Sequence, residues 1–107
     1  MRAGYPSAEL GRIKRWITEY TVAYRNMDEA LVRSMNHASK FKPTQYKQAT
    51  VSFANVEIRV REDGQSAVLT ADVQYQYEFR RGTFPPGPPV HVDWPMRKTP
   101  GGWVANP

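Results

Sequence analysis

The stretch AVLTADVQYQYEF, residues 67–79, decides the fold of this chain. Its odd-numbered positions are all apolar or aromatic, whereas its even-numbered positions are mostly polar. Because successive side chains of a β-strand point to opposite faces, this alternation predicts one long strand with one buried face. At roughly 3.3 Å per residue the strand would span about 40 Å, so the sheet that carries it must curve strongly to stay compact.

The residues before this strand predict its partner in a hairpin. Asp63 and Gly64 are typical of a tight turn, since glycine readily adopts the positive φ that hairpin turns need. Between residues 50 and 61 the apolar positions change from odd to even numbers. This change of phase predicts a strand with a β-bulge at Ala54 or Asn55, or a strand that is buried on both faces there.

Two more strands are expected after a stiff, proline-rich connection at residues 81–89. The apolar residues of the first of them alternate: Val90, Val92, Trp94 and Met96. Pro95 has no N–H to donate, which predicts that this strand lies at a sheet edge or is kinked. A turn at residues 99–102 then leads into a short closing strand at 103–105.

The N-terminal third predicts two helices. After Ser7, the expected N-cap, large apolar residues recur at spacings of three and four, which is the period of an amphipathic helix. Glu9 is expected in the first turn, where a negative charge is favourable. Asp28 is expected to cap a second helix over residues 29–35. The polar segment 36–48 is expected to be mostly loop.

The composition limits the classes to which the protein can belong. With 107 residues, of which 40% are hydrophobic, we expect residues 1–107 to be one domain, either whole or cut from a longer protein. The absence of cysteine excludes disulfides and thiolate metal sites. No apolar run approaches the ~20 residues of a membrane span and no signal peptide is evident, so we expect a soluble cytoplasmic protein without a membrane partner.

The net charge of +5 invites a comparison with nucleic-acid-binding proteins. The basic residues, however, are scattered over every segment, and no DNA- or RNA-binding signature accompanies them. We therefore expect solvated surface charge and no nucleic-acid partner.

The order of these elements resembles the nuclear transport factor 2-like superfamily, which forms a cystatin-like α+β cone. The likeness is carried by residues 13–28 (IKRWITEYTVAYRNMD), by the strands at 56–60 and 67–79, and by the tail 96–104 (MRKTPGGWV). The resemblance implies an α+β fold in which N-terminal helices pack on a strongly curved, mainly antiparallel sheet. It also implies a pocket between helix and sheet, and a homodimer formed through the exposed sheet face.

Aromatic residues are the candidates for lining such a pocket: Trp16, Tyr20, Tyr24, Tyr75 and Tyr77. Tyrosine combines apolar area with a hydroxyl that needs a partner, which suits sites for small apolar or aromatic ligands. The same residues would also form an ordinary aromatic core.

The candidates for catalysis are His91, Asp93 and Asp72. His91 could act as a general base oriented by Asp93 if their face of the strand looks into the pocket. Alternation favours the opposite arrangement, because the apolar residues around them form the expected core face. The two histidines, His37 and His91, have no carboxylate cluster in the sequence around them, so neither a metal nor another cofactor is expected.

The sequence therefore predicts a non-catalytic small-molecule-binding or assembly module. The alternative is a small cofactor-independent enzyme, an isomerase, cyclase or hydrolase, since similar folds combine an aspartate or histidine base with tyrosine donors. The two differ in one feature: in the enzyme, an ionisable group and a tyrosine hydroxyl meet in one cavity.

Overall fold

The computed structural model describes residues 5–37, 39, 41–42, 44, 46–79, 82–83 and 87–106. Two helices come first, α1 (Tyr5–Arg25) and α2 (Glu29–Met35). The strands follow: β1 (Tyr46–Val60), β2 (Ser66–Phe79), β3 (Gly82–Thr83), β4 (Val90–Thr99) and β5 (Gly102–Ala105). The predicted α+β fold, with N-terminal helices on a strongly curved antiparallel sheet, is confirmed.

The sheet has the order β1-β2-β4-β5, and the short β3 pairs with the end of β2. The long strand predicted from the alternation therefore lies in the interior of the sheet, between β1 and β4. Its apolar face is directed at the core, and the following side chains are only 0–2% exposed: Ala67, Leu69, Ala71 and Val73. The alternation is regular because one face of this antiparallel strand packs on the core and the other face is partly exposed to solvent.

The predicted β-bulge is also present. The pairing of β1 with β2 changes register between Ala54 and Glu57, and Asn55 has a φ of 53°. Asparagine tolerates this left-handed conformation better than most residues, which makes it suited to the bulge position. The bulge returns the apolar residues of both halves of β1 to the same side of the sheet.

Two predictions about the ends of elements are wrong. Helix α1 begins at Tyr5, so Ser7 is inside the helix rather than its N-cap, and Glu9 lies in the second turn. Strand β1 begins at Tyr46, within the segment predicted to be loop. Lys47 and Gln48 are exposed on this edge strand, so polar residues conceal the strand pattern there. By contrast, the main chain N–H of Leu31 donates to Asp28 at 3.2 Å, which confirms the predicted cap of α2.

Pro95 does not mark a sheet edge, because β4 lies between β2 and β5. Strand β5 ends at Ala105, one residue before the position opposite Pro95. The missing N–H of the proline therefore removes no ladder hydrogen bond to β5, while its carbonyl accepts from the main chain of Asn106 at 2.9 Å. The proline-rich connection at 81–89 falls partly outside the described residues.

Helix α1 packs on the inner face of the sheet, and aromatic rings fill the space between them. Trp16 stacks on Tyr20 with 4.8 Å between ring centroids. The rings of Phe53 and Trp94 meet this stack edge-on at 6.2–6.5 Å. At this point the cone holds a packed aromatic core, because edge-to-face and stacked rings fill the available volume.

Candidate functional site

A second group of rings lies beyond this core. It covers the inner face of the sheet at the open end of the β1–β2 hairpin, away from the turn. We call the half-buried residues of this group the aromatic row: Tyr46, Tyr75, Tyr77 and Phe79. The rings of Tyr46 and Tyr77 lie 4.5 Å apart at 22°, and those of Tyr75 and Tyr77 lie 6.3 Å apart at only 3°. The rings of Tyr46, Tyr75 and Tyr77 are therefore nearly parallel and partly exposed, whereas the ring of Phe79 is inclined by 54° to that of Tyr77.

Buried tyrosines connect the aromatic row to the core. The ring centroid of Tyr24 lies 5.8 Å from that of Tyr75. Deeper in the core, Asn36 donates to the hydroxyl of Tyr20 at 3.3 Å. The structure thus brings Trp16, Tyr20 and Tyr24 into the core and leaves the predicted ligand residues Tyr75 and Tyr77 partly exposed.

The electrostatics of these tyrosines favour the neutral hydroxyl. Burial raises the pKa of Tyr20, Tyr24, Tyr75 and Tyr77 above the ordinary tyrosine value of 10.0, because a buried phenolate loses its hydration. At physiological pH each of them is a hydrogen-bond donor or acceptor rather than a base.

The three predicted catalytic candidates lie together on the opposite, outer face of the sheet. His91 Nδ1 is 3.1 Å from an oxygen of Asp72, and its Nε2 is 3.6 Å from Asp93. Asn55 donates to Asp72 at 2.8 Å and Thr70 donates to Asp93 at 2.7 Å. We call these five residues the outer cluster. The His91 side chain is 62% exposed, so the cluster faces solvent.

Hydrogen bonds within the outer cluster shift two pKa values in opposite directions. The bond from Asn55, with a smaller contribution from His91, lowers the pKa of Asp72. The bond to Asp72 raises the pKa of His91. Because solvent screens charges at such exposed positions, these shifts have little effect on stability. Among the described residues, no group of His, Asp and Glu side chains is placed to hold a metal ion.

Sequence reasoning missed a buried carboxylate, that of Glu9, which is 1% exposed. It accepts from Lys98 at 2.6 Å, from the indole of Trp103 at 3.0 Å and from Arg12 at 3.0 Å. The bond from Lys98 is the main reason that the pKa of Glu9 is lowered despite burial. Glu9 lies four residues before Ile13 on the same helix stripe, which is the only local signal of its burial. Its main partners lie about 90 positions later in the chain.

Sequence reasoning also missed a groove between the two helices and the β4–β5 hairpin. We call it the hairpin groove, because this hairpin forms one of its sides and the two helices form the other. It encloses about 500 Å³, and its lining includes Arg15 and Trp16 of α1, Leu31 and Met35 of α2, and Trp103 of β5. A volume of this size is in the range of small-ligand and peptide sites.

The comparisons with known proteins concern the fold. No family model matches the chain, and no curated protein matches it. Among solved structures, one described as a putative scytalone dehydratase from Novosphingobium aromaticivorans is similar over 92% of this chain and 79% of its own, with a TM-score of 0.72 and 12% identity. A second, described as a putative aromatic ring hydroxylase from the same species, is similar over 94% and 85%, with a TM-score of 0.66 and 17% identity.

At these identities the likeness shows the fold alone. Both neighbours have the nuclear transport factor 2-like cone, and the described part of this chain has the same helices on a curled antiparallel sheet. None of the helices in the described part is long and apolar enough to cross a membrane.

Proposed function

We propose that this protein is a non-catalytic, small-molecule-binding module of the nuclear transport factor 2-like type, and that it binds a flat aromatic ligand on the aromatic row. The observation that carries the proposal is the 3° angle between the half-buried rings of Tyr75 and Tyr77, with Tyr46 stacked on the latter. A planar ligand can extend such a stack and gain both apolar burial and ring contact.

The tyrosine hydroxyls would supply the polar part of the recognition. They are neutral at physiological pH, so they suit a ligand hydroxyl or carbonyl better than a charged group. The name of one structural neighbour, aromatic ring hydroxylase, refers to an aromatic compound, and this supports the same ligand class here.

The non-catalytic part of the proposal rests on the separation of the two faces. The enzyme alternative requires an ionisable group beside a tyrosine hydroxyl in one cavity. Asp72 of β2 and His91 of β4 lie on the outer face of the sheet, whereas the tyrosines of the aromatic row lie on the inner face of β1 and β2. The sheet therefore separates the ionisable groups from the tyrosine hydroxyls.

The test is a nitrogen-15 NMR titration with 2-naphthol as the probe, compared with its fully saturated analogue decahydro-2-naphthol. Stacking predicts saturable shifts around Tyr75 and Tyr77 for the aromatic alcohol and an affinity at least about fivefold weaker for the saturated one. Tyr77→Leu should weaken binding of 2-naphthol, whereas Gln76→Ala, on the other face of the same strand, should not. Equal affinity for the two alcohols, or no binding at all, contradicts the proposal.

We also propose that two copies associate through the outer face of the sheet. What supports this is a patch of uncharged hydrogen-bonding side chains on paired positions, Thr50 opposite Gln76 and Ser52 opposite Gln74. Such side chains can pair with their copies across a two-fold axis without repulsion between like charges. Light scattering at tens of micromolar should give the mass of a dimer, and a monomeric mass contradicts this proposal.

A further inference from the structure

The hairpin groove combines an unpaired strand edge with two helices. Strand β5 is the last strand of the sheet, and among the described residues its outer side pairs only with the segment just after α2, through a bridge between Asn36 and Ala105. The main chain of His37 donates to the carbonyl of Ala105 at 3.0 Å. The rest of this edge, next to Gly102 and Trp103, lies along the groove.

The pairing pattern shows which main-chain groups face the groove. In an antiparallel pair, the N–H and C=O of one residue point to the same side, and this side alternates along the strand. The carbonyl of Ala105 points away from β4, since it accepts from His37, and the N–H of Asn106 points towards β4, since it donates to Pro95. By this alternation the N–H and C=O of Trp103 point to the free edge, as those of Ala105 do.

Trp16 lines the groove beside this edge, and its indole Nε1 is buried and has no hydrogen-bond partner within the described residues. Because this nitrogen is buried, the hydrogen bonds that the groove itself offers are those of the Trp103 main chain, and the Trp16 indole serves as a nearby reporter of binding.

The charges and apolar groups of the groove are unequally distributed. Arg12 and Arg15 lie at one end, and Arg15 has no carboxylate partner among the described residues. Glu19 and the 43% exposed Leu31 lie at the other end, where a second groove of about 410 Å³ continues past Val22. An acidic group is therefore favoured near the arginines, and an apolar group is favoured near Leu31.

We propose that the hairpin groove binds an extended peptide that adds a strand to the free edge of β5. Its main chain pairs with the N–H and C=O of Trp103, its acidic side chains lie by Arg12 and Arg15, and an apolar side chain packs on Leu31. Main-chain pairing supplies affinity in this mode of recognition, and the flanking pockets supply specificity. This site is separate from the aromatic row, so the two proposals stand or fall independently.

The experiment uses the full chain and the probe acetyl-Val-Thr-Val-Asp-Asp-amide in a nitrogen-15 NMR titration. We expect saturable shifts of the Trp103 main-chain N–H and the Trp16 indole N–H, with a Kd on the order of 0.1–1 mM for so short a peptide. Arg15→Glu should raise the Kd about tenfold. The matched variant Lys14→Glu makes the same charge change on an adjacent exposed residue that does not line the groove, and should stay within about twofold.

Two control peptides test the mode of binding. The same peptide with its central valine N-methylated lacks the main-chain donor and should bind much more weakly, and acetyl-Val-Thr-Val-Lys-Lys-amide should also bind more weakly. The proposal is overturned if the probe does not bind up to about 5 mM, or if Lys14→Glu weakens binding as much as Arg15→Glu does. Undiminished binding of the N-methylated peptide also overturns it, since the groove would then hold an acidic ligand without strand pairing.

Discussion

The residues of the inner and outer faces of β2 alternate along one strand, but the two faces differ in burial and in the chemistry of their side chains. On the outer face Asp72 and its partners form a constellation that looks like a catalytic pair, with a 3.1 Å contact between histidine and carboxylate. On the inner face Val73 is fully buried, and the tyrosines that follow it have raised pKa values. The comparison teaches that short hydrogen bonds alone do not identify a site, because solvent screens the charges that they join.

The largest effect on the free energy of unfolding should come from removing a ring that α1 packs against the inner face of the sheet. Tyr20→Ala leaves a cavity beside Trp16 and removes the hydroxyl that accepts from Asn36, so we expect a loss of about 3–5 kcal/mol in the free energy of unfolding. His91→Ala, on the outer face, should leave it almost unchanged. Urea denaturation of both variants measures this. Similar losses for the two would remove the distinction between the faces.

A comparison of two carboxylates sharpens the contrast. Glu9 is buried with three donors, whereas Asp72 is partly exposed with two partners. Glu9→Gln leaves Lys98 without its counter-charge and should cost about 2–3 kcal/mol. Asp72→Asn should leave the free energy of unfolding almost unchanged. If Asp72→Asn destabilises the protein as much as Glu9→Gln does, burial does not determine how much a carboxylate contributes to the free energy of unfolding.

The carboxylate of Glu9 should also determine how stability changes at acidic pH. The pKa of Glu9 is lowered in the folded state from its ordinary value of 4.5, chiefly by Lys98. Its contribution is therefore fully present above about pH 4.5 and is lost as the pH falls through the lowered value. Urea midpoints between about pH 3 and 7 should show the wild type falling towards Glu9→Gln at low pH. Parallel curves for the two proteins would rule out this origin of the acid sensitivity.

We expect the smallest pH-dependent contribution to stability from His91. Its pKa is raised above 6.5, mainly by Asp72, so its contribution to stability has the opposite sign: it is present below about pH 6.5 and is lost as the pH rises through the raised value. NMR titration of the imidazole should show a raised pKa in the wild type and a lower one in Asp72→Asn. An unchanged pKa in the variant would mean that the contact between the two side chains does not persist in solution.

Local patterns predicted most of the fold. The alternation at residues 67–79, the change of phase at Asn55 and the cap at Asp28 each depend on neighbours in the chain, and each is confirmed. The start of β1 was missed because Lys47 and Gln48 lie on an edge strand and are exposed, so no buried face marks them.

The candidate sites were less predictable, because they depend on distant pairing. The sequence favoured an outward position for His91 and Asp93 but did not show that His91 would contact Asp72, its cross-strand partner on β2. The burial of Glu9 requires Lys98 and Trp103, and the hairpin groove requires α2 to pack beside β5. Such partners are fixed by tertiary structure and leave almost no trace in local periodicity.

The most direct test of the contrast between the faces is a search for intermolecular nuclear Overhauser effects between bound 2-naphthol and the protein. The account predicts contacts from the naphthol ring protons to the ring protons of Tyr75 and Tyr77, and none to His91. Contacts to the imidazole of His91 with none to these tyrosines would contradict it and would place the binding site on the outer face.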